Sequence, residues 1–284
     1  MDLGKVGIWW SGSWRVRSDS ALNSAAEIES LGYGAIWSSG GWGLGLSEHF
    51  QHLVTATSRI PVASGIVNIW RVSPEEIAPA VVELEARHPE RFLLGLGASH
   101  APLVENYSRP YHQMVQYLDA LDAIEPTVPK TRRVLAALGP RMLALAGTRT
   151  RGAHPYLVPV EHTAYARQML GHGPLLAPEV TVVLEQDPTE ARNLARTFIS
   201  GYLTLPNYTN NLRSFGFGDD DLTGGGSDRL VDAVVAWGDV RRIASRVREH
   251  HEAGADHVCI QVVSRDDDFP LDQYQELAPA LLTE

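Results

Sequence analysis

The residues of this chain that could do chemistry stand in short glycine-rich stretches that close apolar runs. His100 ends Gly97-Ala98-Ser99-His100, His154 opens His154-Pro155-Tyr156, and Trp9-Trp10 follows the first apolar run. An imidazole so placed can exchange a proton near neutral pH. Tryptophan faces stack on flat rings, and glycine lets backbone come close to them. Ser38-Ser39-Gly40 and Gly65-Ile66-Val67-Asn68 are two further ends of this kind, and Gly139-Pro140-Arg141 ahead of a helix offers amides and a guanidinium to a phosphate. Ser99 and His100 are adjacent and lack a G-x-S-x-G turn, and no acid obviously orients the imidazole, so a nucleophilic hydrolase is poorly supported. A metal centre needs several convergent Asp, Glu or His ligands; only His100, His154 and Glu185 stand at separate strand ends, and no metal is expected. The set suits a flat aromatic cofactor, with His100 as proton donor or acceptor and His154 as second choice. Trp9, Ser38, the run Gly65, Ile66, Val67, Asn68, and then Gly97 and Ser99 are expected against its ring, with Gly139, Pro140 and Arg141 at its phosphate.

These stretches need a scaffold, and Pro61 to His100 shows its unit. Pro61 to Val67 is short, β-branched and apolar; Ser73-Pro74-Glu75-Glu76 opens a helix to about His88 whose Ile77, Val81 and Leu84 form an apolar stripe; Arg91 to Leu96 is a second buried strand. Further strands are read at Lys5–Trp9, Ala35–Trp37, Arg133–Leu138, Ala153–Val158, Val180–Leu184 and His257–Val263, with helices between. Eight strands alternating with helices predict a (β/α)8 TIM barrel, one domain over residues 1–284, with its site at the carboxyl ends of the strands. Ser38 to Gly45 is glycine-rich but has no lysine, so it is not a Walker-type phosphate loop. Between strands seven and eight, about Asp187 to Asp256, an insertion is expected to carry about three helices and a polar, aromatic, glycine-rich segment from Pro206 to Asp228. With Tyr202, Tyr208 and Phe215 nearby, that segment reads as a mobile cover over the substrate side.

Composition narrows the function classes. A chain of 284 residues that is 44% hydrophobic and 20% charged can bury a large core, and a formal net charge of -10 disfavours nucleic acid and acidic membrane as partners. Small molecules are the expected ligands. The single cysteine, Cys259, lies in an apolar run and reads as a buried, inert thiol. No stretch is apolar and long enough for a signal peptide or a membrane span, which predicts a soluble, cytoplasmic protein.

The strand ends Gly65-Ile66-Val67-Asn68, Leu94-Gly95-Leu96-Gly97, Gly139-Pro140-Arg141-Met142 and Gly152-Ala153-His154-Pro155-Tyr156, with Trp237-Gly238-Asp239 and Ala253-Gly254-Ala255-Asp256, together resemble the luciferase-like (bacterial luciferase type) oxidoreductase superfamily, and most closely its branch that uses coenzyme F420. The likeness covers nearly the whole chain. It implies a homodimeric barrel with an insertion between strands seven and eight, and a cis peptide at the end of strand three, carried over to Gly65-Ile66, that bulges against the deazaflavin ring. Many relatives end strand two with an acidic residue and a histidine, where this chain has Ser38-Ser39-Gly40, so alcohol or sugar-phosphate dehydrogenation by that histidine is disfavoured. Several relatives carry a glutamate where this chain has His100. The resemblance implies an oxidoreductase moving a hydride between coenzyme F420 and a small organic substrate. An FMN-dependent monooxygenase of the same superfamily, or a non-catalytic flavin- or deazaflavin-binding protein, are the alternatives.

Overall fold

The structure is a computed structural model that describes residues 1–10, 19–39, 46–265 and 268–282. Gly40 and the rest of the glycine-rich loop to Gly45 lie outside the described residues.

Apolar runs bounded by glycine and proline fold into strands, and the stretches between them into helices. In chain order these are β1 (Val6–Trp10), α1 (Asp19–Leu31), β2 (Ile36–Ser38), α2 (Leu46–Ala56), β3 (Val62–Ser64), β4 (Val67–Asn68), α3 (Pro74–Arg87), β5 (Phe92–Gly97), α4 (Pro110–Ala123), β6 (Arg133–Leu135), α5 (Pro140–Arg149), β7 (Gly152–Ala153), α6 (Val160–Leu170), β8 (Leu175–Leu176) and β9 (Glu179–Val183). There follow α7 (Pro188–Ile199), α8 (Pro206–Ser214), α9 (Asp219–Leu222), α10 (Asp228–Val234), β10 (Val235–Trp237), α11 (Val240–Glu252), β11 (Val258–Val262) and α12 (Leu271–Leu281). Helix α3 starts where Ser73 and Glu76 satisfy each other's backbone amides, as its sequence predicts.

Every strand pairing is parallel, and the sheet runs β10-β9-β11-β1-β2-β3-β5-β6-β7-β8 with β4 beside β5. The two ends meet. Leu175, Ala177 and Glu179 donate their amides to Arg151, Ala153 and Pro155 at 2.8, 2.9 and 2.9 Å, so β8 and β9 act as one strand bent at Ala177-Pro178 that pairs with β7 on one edge and β11 on the other. With β4 and β10 as short additions, the result is the predicted closed (β/α)8 barrel. Trp9, Ala35, Trp37, Ala63, Leu93, Val134, Ala177 and Cys259 fill its interior, and alternate residues such as Ile8, Ile36, Val62 and Leu94 face the helices.

Three sequence expectations change. Strand three is not continuous from Pro61 to Val67: β3 and β4 are separated at Gly65-Ile66, whose peptide is cis, as the resemblance implies. Strand six is only Gly152–Ala153 rather than Ala153–Val158, because Pro155 and Pro159 have no N–H to give to a ladder. The span between β9 and β11 holds α7 to α11 and β10, more than three helices, and Pro206 opens a true helix where a loop was expected. Its polar sequence PNYTNNLRS hides the fact that Tyr208, Thr209 and Leu212 fall on one buried face. Tyr208 and Leu212, with Ile199, Leu230, Val231 and Trp237, build a second apolar core at the strand ends.

Candidate active site

Close backbone approach shapes the floor of the site. A Cβ on Gly95 would lie 1.9 Å from the Ser64 carbonyl oxygen, and one on Gly97 would lie 2.6 Å from the Ile66 side chain. Glycine at both positions therefore lets the β3–β4 bulge lie flat on β5. Ser64 Oγ fastens the crossing, accepting the Gly95 amide at 2.7 Å and donating to the Gly95 carbonyl at 3.0 Å.

Above this floor, at the carboxyl ends of the strands, is a cavity of about 590 Å³. Its walls are Trp9 from β1, Ser39, Gly65-Ile66 and Asn68, Gly97 to His100 from β5, Ala136 to Gly139, His154 and Tyr156, and Tyr202, Leu205, Asn207 and Tyr208 from the span after α7. Among the described residues none of the lining side chains is Asp, Glu, Lys or Arg. Of the residues expected at the site, Trp9, Gly65, Ile66, Asn68, Gly97, Ser99, His100, Gly139 and His154 converge here.

Four do not. Ser38 is fully buried, with its hydroxyl 2.9 Å from His49 Nε2. Val67 is fully buried in the layer between sheet and helices. Pro140 and Arg141 lie outside the lining; the Arg141 guanidinium stacks over the Tyr111 ring at 4.0 Å. Phe215 is not part of a cover either, because its ring packs on His162 and Tyr165.

The two histidines are held differently. Burial holds the His100 imidazole below its usual pKa, so it is a free base at neutral pH; its Nδ1 has no partner among the described residues and its ring lies 5.0 Å from Tyr208. Tyr107 and Asn207 both donate to the Ser99 carbonyl, at 3.4 and 3.3 Å, and so tie the end of β5 to α8. His154 is 2% exposed, stacked on Trp37 at 4.2 Å, and its Nδ1 is 2.7 Å from the Ala177 carbonyl. A carbonyl only accepts, so Nδ1 carries the hydrogen and Nε2 presents a lone pair. Burial lowers its pKa to about 4, against the Ala177 bond.

Sequence reasoning placed Tyr202 and Tyr208 near the cover over the substrate side but missed the hydroxyl chain that links Tyr202 to Tyr156. Tyr156 donates to Gln261 Oε1 at 2.7 Å, which leaves Tyr202, 3.0 Å away, to donate to the Tyr156 oxygen. This chain of hydroxyls ties the span after α7 to the barrel. Tyr156 was readable in part, being two residues beyond His154 and so on the same side of an extended segment. Glu179, fully enclosed nearby, is pushed up to about 7 by burial, against the bonds from Thr181 and the Leu157 amide. Cys259 is buried and its thiol is raised well above the usual range by burial, which makes it a poor nucleophile. Among the described residues no group of three or more His, Cys, Asp or Glu could hold a metal ion. No described helix is long and apolar enough to cross a membrane.

Comparisons with known proteins agree with this architecture. The family model described as luciferase-like monooxygenase matches residues 11–257. No curated protein sequence matches the chain. Among solved structures, an F420-dependent secondary alcohol dehydrogenase in complex with an F420-acetone adduct superposes with a TM-score of 0.74 at 14% identity, covering 98% of each chain. A coenzyme F420 dependent tetrahydromethanopterin reductase from Methanopyrus kandleri gives 0.68 at 14% identity, covering 96% of each chain. The oxygenating constituent of 3,6-diketocamphane monooxygenase from the CAM plasmid of Pseudomonas putida, in complex with FMN, gives 0.68 at 15% identity over 98% of each chain.

Proposed function

The chain belongs to the luciferase-like monooxygenase family, and on that premise we propose that it is a coenzyme F420-dependent oxidoreductase that moves a hydride between the deazaflavin and a small organic substrate. The observation that carries this reading is the cavity: an uncharged, aromatic-walled slot of about 590 Å³ laid against the Gly65-Ile66 bulge. A flat ring fits that description. Buried polar atoms at its wall that have no partner among the described residues, Trp9 Nε1, His154 Nε2 and His100 Nδ1, are donors and acceptors that a ring with polar edges could satisfy.

Gly65, Ile66, Asn68, Gly97 and Ser99 would hold the ring and Gly139 the start of its tail. Arg141, exposed in the first turn of α5, is close enough in sequence to meet a phosphate at the mouth. When bound, the deazaflavin supplies the hydride carrier, and the protein supplies position and electrostatics. Tyr202, Leu205 and Tyr208 cover the slot from water. His100 is the residue we assign to the proton. As a free base it accepts the proton released when a substrate hydroxyl is oxidised, and its protonated form returns it in the reverse direction.

The choice of F420 over FMN draws on the sequence resemblance. Titration of the purified protein with each cofactor tests it. Coenzyme F420 is expected to bind more tightly by about 1.4 kcal/mol or more, a tenfold ratio. Equal binding, or tighter binding of FMN, would move the reading to an FMN-dependent monooxygenase.

A further inference from the structure

At the floor of the cavity two polar atoms approach one point from different strands. A Cβ built on Gly65 would lie 2.5 Å from Trp9 Nε1 and 3.3 Å from His154 Nε2. Trp9 is 7% exposed and His154 2%, and neither nitrogen has a hydrogen-bond partner among the described residues. They are opposite in kind: an indole N–H can only donate, and with Nδ1 of His154 committed to the Ala177 carbonyl, Nε2 can only accept. Both are also fixed. The imidazole is clamped between Trp37 at 4.2 Å and its carbonyl bond, and the indole is edge-on to Tyr156 at 5.4 Å. Two unmet, rigid and complementary groups beside the bulge form a recognition element for a ligand edge that carries an acceptor next to a donor.

We infer that Trp9 and His154 read the pyrimidinedione edge of the bound ring, Trp9 donating to a ring carbonyl and His154 accepting the ring N3–H. This rests on the proposed function, because it presupposes that a flavin or deazaflavin ring lies on Gly65-Ile66. It assigns His154 to recognition rather than to proton transfer. It also gives Gly65 a second reason to be glycine, since a methyl there would stand 2.5 Å from Trp9 Nε1 and displace the indole. Flavins and 5-deazaflavins share this edge, so the assignment does not depend on which of the two is bound.

The test alters the ligand and leaves the protein intact. FMN and the 8-hydroxy-5-deazaflavin ring are titrated into the wild-type protein by fluorescence, each beside its N3-methyl derivative. N3-methylation is expected to weaken the ring that binds by at least about tenfold, since it removes the donor and leaves His154 Nε2 buried without a partner. His154→Ala should bring parent and N3-methyl ligand within about twofold of each other. Trp9→Phe should weaken both by a similar factor of about ten, because it removes only the bond to the carbonyl. If wild-type protein binds a parent ring and its N3-methyl derivative equally well, the assignment is overturned while the cofactor reading stands. Binding of neither parent ring overturns both. Should His154→Ala not fold, the wild-type and Trp9→Phe comparisons decide.

Discussion

Replacing His100 by alanine separates chemistry from binding at this site. The imidazole reaches the cavity wall from the end of β5, touches Tyr208 at 5.0 Å, and has no partner for Nδ1 among the described residues. Its removal costs the fold little, and the free energy of unfolding should change by less than about 1 kcal/mol. A proton acceptor held in reach of a reacting hydroxyl typically contributes a factor of 10² to 10⁴, or about 2.7 to 5.4 kcal/mol of barrier. His100→Ala should therefore lower kcat by about a hundredfold or more and leave the cofactor dissociation constant within a few-fold. The pH profile adds a second signature. Burial holds His100 below its usual range, so in the oxidative direction wild-type kcat/KM should climb with pH as the free base fills, along an acid limb that lies below that of an ordinary imidazole. In the variant that limb should vanish. The assay follows deazaflavin reduction across a panel of alcohols, using whichever substrate turns over. A variant that keeps kcat within about threefold of wild type, with the acid limb in place, refutes the assignment and leaves the proton to a phenol or to solvent.

Two further predictions concern the scaffold. Glu29, 8% exposed, accepts the amides of Ser58, Arg59 and Ile60 at 2.7, 2.6 and 3.0 Å; burial opposes its charge, but these amides outweigh it and hold the carboxyl below its usual range. Its stabilisation is present above the ordinary carboxylate pKa and lost as pH falls through the lowered one, so Glu29→Ala should cost about 2 to 4 kcal/mol in urea unfolding at pH 7 and less at pH 3; an equal loss at both pH values would count against it. Burial also lowers the pKa of His49, His162 and His257 to about 4, and of His250 to about 3. Between pH 6.5 and 4 the unfolded chain binds protons that the folded chain does not, so stability should fall through that window by up to about 1.4 kcal/mol per pH unit for each such histidine. A flat urea midpoint from pH 6.5 to 4.5 would mean that these rings take up protons without unfolding.

What could be read from the sequence was whatever depends on neighbours a few residues away. The βα alternation, the cap at Ser73, and the glycines that let Ile66 approach β5 all follow from local patterns, and they were enough to place Gly65, Gly97, His100 and His154 around one cavity. Reading failed where a side chain's direction is set by a distant partner. Ser38 stands at a strand end like the others, but His49, eleven residues on, takes its hydroxyl. Val67 was expected against the ring with the rest of the run Gly65 to Asn68, but beyond the break between β3 and β4 its side chain packs into the layer between sheet and helices. The route by which a phenol reaches the site was hidden for a related reason: Tyr208 stands on a polar-looking helix that folds over Ser99, through Asn207, more than a hundred residues from the strand it covers. His154 shows the limit most clearly. Its residue type suggested proton exchange, but the Ala177 carbonyl fixes the hydrogen on Nδ1 and burial keeps the ring neutral. The same imidazole is thereby a fixed acceptor. Sequence position brings a histidine to a site; the partner of its second nitrogen decides what the first can do.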